Sequence, residues 1–73
     1  MKITQIIGEN GAMEKPCNNA SCPSAILTEE GDVYLQGYLL NQREEGAFAP
    51  PNGEGFVKMP LATLRKIASQ LPA

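Results

Sequence analysis

Apolar positions in this chain come in short bursts separated by turn residues, not in one long periodic stretch. MKITQII carries Ile3, Ile6 and Ile7 and is followed by GENG, a turn signal ending in Asn10-Gly11. The pattern predicts a strand from Lys2 to Ile7. Residues 11–23 hold Pro16, Pro23, two adjacent asparagines and both cysteines, and read as loop. The clearest local pattern is SAILTEEGDVYLQGYLL. Ala25 to Thr28 is a short apolar run, and EEGD is a turn in which Gly31 supplies the positive φ that a bulged hairpin loop demands. Asp32 to Leu40 then reads as a second strand. Val33, Leu35, Gly37 and Leu39 fall on one face, and Tyr34, Gln36, Tyr38 and Leu40 on the other. Apolar groups on both faces suggest a central strand, and Gly37 within it a bulge or a close backbone approach.

NQREEGAFAPPNGEG reads as loop with one helical turn near Gln42 to Glu45, and GFVKM as a further strand. Pro60 suits the first turn of a helix, where its missing N–H would have no partner in any case. Leu61, Leu64, Ile67 or Ala68, and Leu71 recur at helical spacing, and Pro72 ends the helix. The order β, ββ hairpin, β, α predicts a small α+β domain: an antiparallel sheet of three to four strands with one C-terminal helix packed on a face.

Seventy-three residues make a single domain, 1–73. A chain of this size buries only roughly 60% of its unfolded surface. Its core supplies no more than about 3–5 kcal/mol, so a partner or staple would help it. The N-terminal segment has one lysine and a broken apolar run, without the long apolar region of a signal peptide. No window approaches the roughly 18 apolar residues of a membrane span. The expectation is a cytoplasmic protein with no membrane partner, in which the Asn19 glycosylation sequon is a chance match.

Charge is distributed unevenly. Up to Phe56 there are three basic and eight acidic side chains; beyond it stand Lys58, Arg65 and Lys66 and no acid. An acidic body argues against nucleic-acid binding, which needs a substantial set of phosphate-neutralising cations. Arg65 and Lys66 suit the C-terminal end of a helix dipole. The alternative readings are a nucleic-acid module using the basic C-terminal helix, or a structural protein of unknown role.

Cys17 and Cys22 are five positions apart, with no other cysteine and no histidine in the chain. Zinc takes four ligands, usually as two clustered pairs, so one pair fills a site only across a dimer. A disulfide would close a tiny loop in a reducing compartment. A redox pair would more naturally be C-x-x-C at a helix start. The default reading is a small buried apolar residue at Cys22 and a loop thiol at Cys17. Without histidine, a nucleophile would lack the usual base. PPNGEG precedes a strand, not a helix, so it lacks the geometry of a phosphate loop. The chain reads as a non-enzyme with no catalytic, cofactor-binding or metal-binding residue to assign.

Cys22-Pro23-Ser24, the hairpin from Thr28 to Asp32, Gln36-Gly37-Tyr38 and the Val57 to Pro60 corner together resemble a group of small uncharacterised bacterial proteins. More distantly, the order of elements resembles the BldB-like domain of unknown function. The chain lacks that family's arginine-aspartate-serine run and its helix tryptophan. The resemblance implies a small module that binds and modulates helix-turn-helix regulators in the manner of an antitoxin; its motifs are structural and transfer no catalytic residue.

The resulting expectation is a protein–protein interaction module, with a protein partner, a regulator of that kind or a second copy. Glu29, Glu30 and Asp32, with Glu44 and Glu45, would steer a basic partner, although such acids also serve simply to keep a small protein soluble. With the helix packed on the Val33, Leu35 and Leu39 face, the face carrying Tyr34, Gln36 and Tyr38 would stay open for binding.

Overall fold

Four short strands form one antiparallel sheet in a computed structural model that describes residues 1–14 and 23–72. They are β1 (Ile3–Gly8), β2 (Gly11–Met13), β3 (Ser24–Thr28) and β4 (Val33–Gln36), arranged in the order β2-β1-β3-β4. Two helices follow, α1 (Gln42–Phe48) and α2 (Leu61–Ala68). This is the α+β architecture that the sequence pattern implies. The readings of Cys17 and Cys22 lie outside the described residues. Among the described residues no helix is long and apolar enough to cross a membrane.

The central pair is β1 and β3, the two strands that carry isoleucine. Ile7 lies opposite Ala25 and Ile6 opposite Ile26, with the ladder irregular between Ile3 and Gln5. The β3–β4 hairpin closes at Thr28. Its carbonyl accepts from the Gly31 N–H at 3.1 Å, while its own N–H and Oγ1 both donate to the Asp32 carbonyl, at 3.1 and 3.0 Å. This geometry needs a left-handed residue at the corner, and Gly31 takes φ 95° there.

The structure departs from the pattern in four places. Gly11–Met13, read as loop, pairs with β1 across the Glu9-Asn10 turn. The strand expected to run to Leu40 stops at Gln36, and it is an edge strand, not a central one. GFVKM forms no strand; only Lys58 pairs with Tyr38, through bonds of 2.8 and 2.9 Å. Both effects trace to Gly37. A Cβ there would stand 2.9 Å from the Lys58 carbonyl oxygen and 3.2 Å from Val57 Cβ, so the chain from Val57 crosses over this position instead of lying alongside β4. The close approach expected at Gly37 is what ends the strand. Finally, the helical turn near Gln42 extends to Phe48, since Asn41 and Glu44 form a capping box: the Glu44 N–H donates to Asn41 Oδ1 at 2.9 Å, and the Asn41 N–H to Glu44 Oε1 at 3.0 Å.

Helix α2 packs on the sheet face that carries Ile7 and Ala25, and its Ile67 is fully buried between them, with Leu27 and Met59 packed around. Its buried seam is not the leucine stripe. Thr63 and Ile67 are buried, and Gln70 one turn further is half-buried. Thr63 Oγ1 donates to Glu9 Oε1 at 3.0 Å and Gln70 Nε2 to the Gly8 carbonyl at 2.9 Å, so polar bonds to the β1–β2 turn flank the one apolar anchor. Leu61, Leu64 and Leu71 remain exposed.

Two substitutions test this packing. Ile67→Ala removes the anchor and should cost about 2–5 kcal/mol, whereas Leu61→Ala, at an exposed site, should change stability by no more than about 0.5 kcal/mol. Equal shifts in the denaturant midpoint would contradict the seam described here. At the hairpin, Gly31→Ala meets no atom within 4 Å, so its cost is conformational alone, on the order of 1 kcal/mol or more. An unchanged midpoint would mean that the corner residue is not held at positive φ.

Candidate functional site

Cross-strand partners share a sheet face, so the register sorts β4 into two sides. Leu35 lies opposite Ala25, which lies opposite Ile7; this is the face under α2. Tyr34 lies opposite Ile26, which lies opposite Ile6, on the reverse face. The helix therefore does pack on the Val33 and Leu35 side. It does not reach far enough to cover them. Val33, Tyr34 and Leu35 are 48, 49 and 50% exposed, so β4 shows apolar groups on both faces.

On the reverse face, Tyr34 and Tyr38 are exposed, as an open face requires. That face is not bare, however. Ile6 and Ser24 are buried, and Gln36 is half-buried, accepting a hydrogen bond from Ser24 Oγ at 3.3 Å. Gln36 thus belongs to the sheet's own bonding and is a poor candidate for partner contact. Glu29, Glu30 and Asp32 are exposed at the hairpin corner, and Glu29 lies 3.7 Å from Lys2. Tyr34 and the three acids are close in the chain, while Tyr38 stands beyond Gly37, tied by its backbone to Lys58.

A larger apolar area lies on the helix side, where the sequence pattern did not place one. Leu35, Phe48, Phe56, Val57 and Leu64 line an open cleft of about 370 Å³. The rings of Phe48 and Phe56 meet with centroids 5.7 Å apart at 53°, the tilted arrangement that aromatic pairs favour. This contact closes the APPNGEG loop, yet both rings stay more than half exposed. Val33, Leu35, Phe56 and Val57 continue the same surface past the edge of β4. A signal was present in the sequence: two phenylalanines flank a Pro/Gly loop, and nothing else in that loop is large enough to hold its ends together.

One wall of the cleft is ionic. Lys58 Nζ lies 2.7 Å from Glu44 Oε2, while Glu44 Oε1 accepts the Asn41 N–H of the capping box. One carboxylate thereby joins the start of α1 to the segment that crosses Gly37. The hydrogen bond from Lys58, and after it the bond from the Asn41 backbone, holds the Glu44 carboxyl below the usual range. Lys66 Nζ lies 3.6 Å from Glu9 Oε1. Two of the three C-terminal cations are therefore engaged by carboxylates. Among the described residues no group of three or more His, Cys, Asp or Glu side chains is placed to hold a metal ion.

Comparison of the chain with protein-family models, with curated proteins and with solved structures finds no match.

The Glu44 arrangement carries a pH dependence. A carboxyl whose pKa is depressed by folding binds fewer protons than in the unfolded chain, so its contribution to stability is present above the unfolded value and lost as pH falls through the folded one. In a carboxyl NMR titration, Glu44 should have its midpoint below the ordinary glutamate value, and Lys58→Met should bring it up toward that value. An ordinary midpoint for Glu44 in the parent protein would show that the Lys58 contact does not persist in solution.

Proposed function

We propose that this chain is a small non-catalytic protein–protein interaction module that works in the cytoplasm and engages its partner through β4 and the apolar cleft beside it. The observation that carries this reading is the joined apolar surface of Val33, Leu35, Phe48, Phe56 and Leu64 at one edge of a very small domain. Exposed apolar area of this kind is the usual mark of a binding surface. Tyr34 and Tyr38 extend it to the reverse face, and aromatic residues are enriched at the centres of interfaces. Glu29, Glu30 and Asp32 at the hairpin corner favour approach by a basic partner. The resemblance to the small bacterial proteins and to the BldB-like domain suggests what such a partner is: a helix-turn-helix regulator, modulated by capture of its basic surface. The alternative, a nucleic-acid module built on Lys58, Arg65 and Lys66, is disfavoured because Lys58 and Lys66 already lie against Glu44 and Glu9.

The test is quantitative enrichment of crosslinked partners from the native cell, followed by reconstitution with the purified candidate. The parent protein should capture a regulator that Tyr34→Ala/Tyr38→Ala or Leu35→Lys loses, while each variant keeps a folded amide spectrum. Retention of every partner by both variants would defeat the reading. Binding of duplex DNA that weakens steeply with salt would favour the alternative.

A further inference from the structure

Tyr38 and Lys58 exchange a pair of backbone hydrogen bonds. The Tyr38 N–H donates to the Lys58 carbonyl at 2.8 Å, and the Lys58 N–H to the Tyr38 carbonyl at 2.9 Å. The pair closes residues 39–57 into a loop whose two ends meet beside β4. Every side chain in that loop is exposed or half-buried, those of α1 included. The loop forms one side of the cleft through Leu40, Phe48 and Phe56. Leu35, Met59 and Leu64, outside the loop, form the other.

The helix inside the loop is weak by its own chemistry. It has seven residues, too few to hold a helix in water without tertiary support. Gly46 stands in its interior, where glycine costs more than any residue but proline. A Cβ at Gly46 would meet no atom within 4 Å, so packing does not call for glycine there. Ala49, at the C-terminal end, takes φ 42°, the left-handed conformation in which glycine is the usual and unstrained residue. Glycine thus stands where alanine would serve better, and alanine where glycine would. Three contacts oppose this weakness: the Asn41–Glu44 capping box, the bond from Lys58 Nζ to Glu44 at 2.7 Å, and the Phe48–Phe56 ring pair. The first two act at the start of α1. Only the ring pair holds its far end, and both rings are more than half exposed.

We propose that residues 39–57 form a flap that opens as one unit on the Tyr38–Lys58 pair, while the sheet and α2 stay folded. Opening begins at Ala49, where the backbone is strained and the ring pair is the sole support. It removes one side of the cleft and uncovers the apolar face of Leu35, Met59 and Leu64. The flap thereby sets how much of that face meets water. This is a property of the chain alone and does not depend on the interaction reading above.

Hydrogen exchange of the full chain at a series of low urea concentrations tests the proposal. The Glu45 and Ala49 amides, which donate to the Asn41 and Glu45 carbonyls, should share one protection factor. It should lie at least about tenfold below that of the slowest amides in β1 and β3. Exchange in α1 should also depend less steeply on urea than exchange in the sheet, because opening the flap exposes little surface. Gly46→Ala combined with Ala49→Gly should slow exchange in α1 at least about tenfold. Phe48→Ala should abolish protection in α1 while β1 and β3 remain protected. Equal protection and equal urea dependence in α1 and the sheet would mean that the segment opens only with the whole domain, and would overturn the proposal. Three other results would do the same: α1 amides with no protection in the parent, exchange indifferent to the paired substitution, or loss of the whole folded spectrum in Phe48→Ala. None of these readouts involves a partner, so their failure leaves the interaction reading to its own experiment.

Discussion

Helix and sheet meet through one apolar contact, in which Ile67 is buried against Ile7 and Ala25. Full burial of an isoleucine side chain is worth roughly 1.5–3 kcal/mol, a large share of what a domain of this size can muster. The position of everything after β4 depends on it. Met59 packs beside this contact, which fixes where the chain arrives from Lys58. Lys58 in turn holds Glu44 and the start of α1, and α1 carries Phe48 to Phe56. Helix α1 has no buried residue of its own, so its place comes from these contacts and from its cap rather than from a core. The cleft is the space left over when a single anchor, instead of a whole helix face, touches the sheet.

The sequence was most legible where local chemistry has only one solution. A positive φ in a bulged hairpin corner needs glycine, and Gly31 stood between two strand-forming runs. Alternation along Val33 to Gln36 assigned the two faces of β4 correctly. Pro60 and Pro72 bracketed α2. What was hidden depended on contacts between distant segments. Gly37 could be read as a close approach, but nothing local said that the Lys58 backbone would fill the space and turn a long strand into a short edge. The leucines of α2 had the right spacing for a core and are mostly outside it, because Thr63 and Gln70 have bonding partners at Gly8 and Glu9 that leucine lacks. Hydropathy assigns energy to burial but not to a specific acceptor.

The candidate site was legible in part for the same reason. Tyr34, Tyr38 and the acids of the corner are exposed, as their pattern implied, whereas Gln36 is occupied by Ser24. The apolar cleft on the opposite side joins residues from β4, α1, the Pro/Gly loop and α2, and no window of sequence contains it. The basic C-terminal segment shows the converse. Read alone, Lys58, Arg65 and Lys66 form a small cationic cluster; in the fold, Glu44 and Glu9 take up two of them. Charge counted along a chain says little about charge available on a surface.

The polar seam of α2 has a consequence for what the helix is free to do. An isoleucine anchor is non-directional and tolerates small rotations of the helix that keep Ile67 against Ile7 and Ala25. Hydrogen bonds to the Gly8 carbonyl and the Glu9 carboxylate do not, since they weaken steeply once distance and angle depart from the favoured range. Thr63 and Gln70 thus act as stops against roll. They keep Leu61 turned outward and Leu64 in the wall of the cleft. The setting of the helix about its own axis thus rests on two modest polar side chains, and the opening of the cleft is set with it.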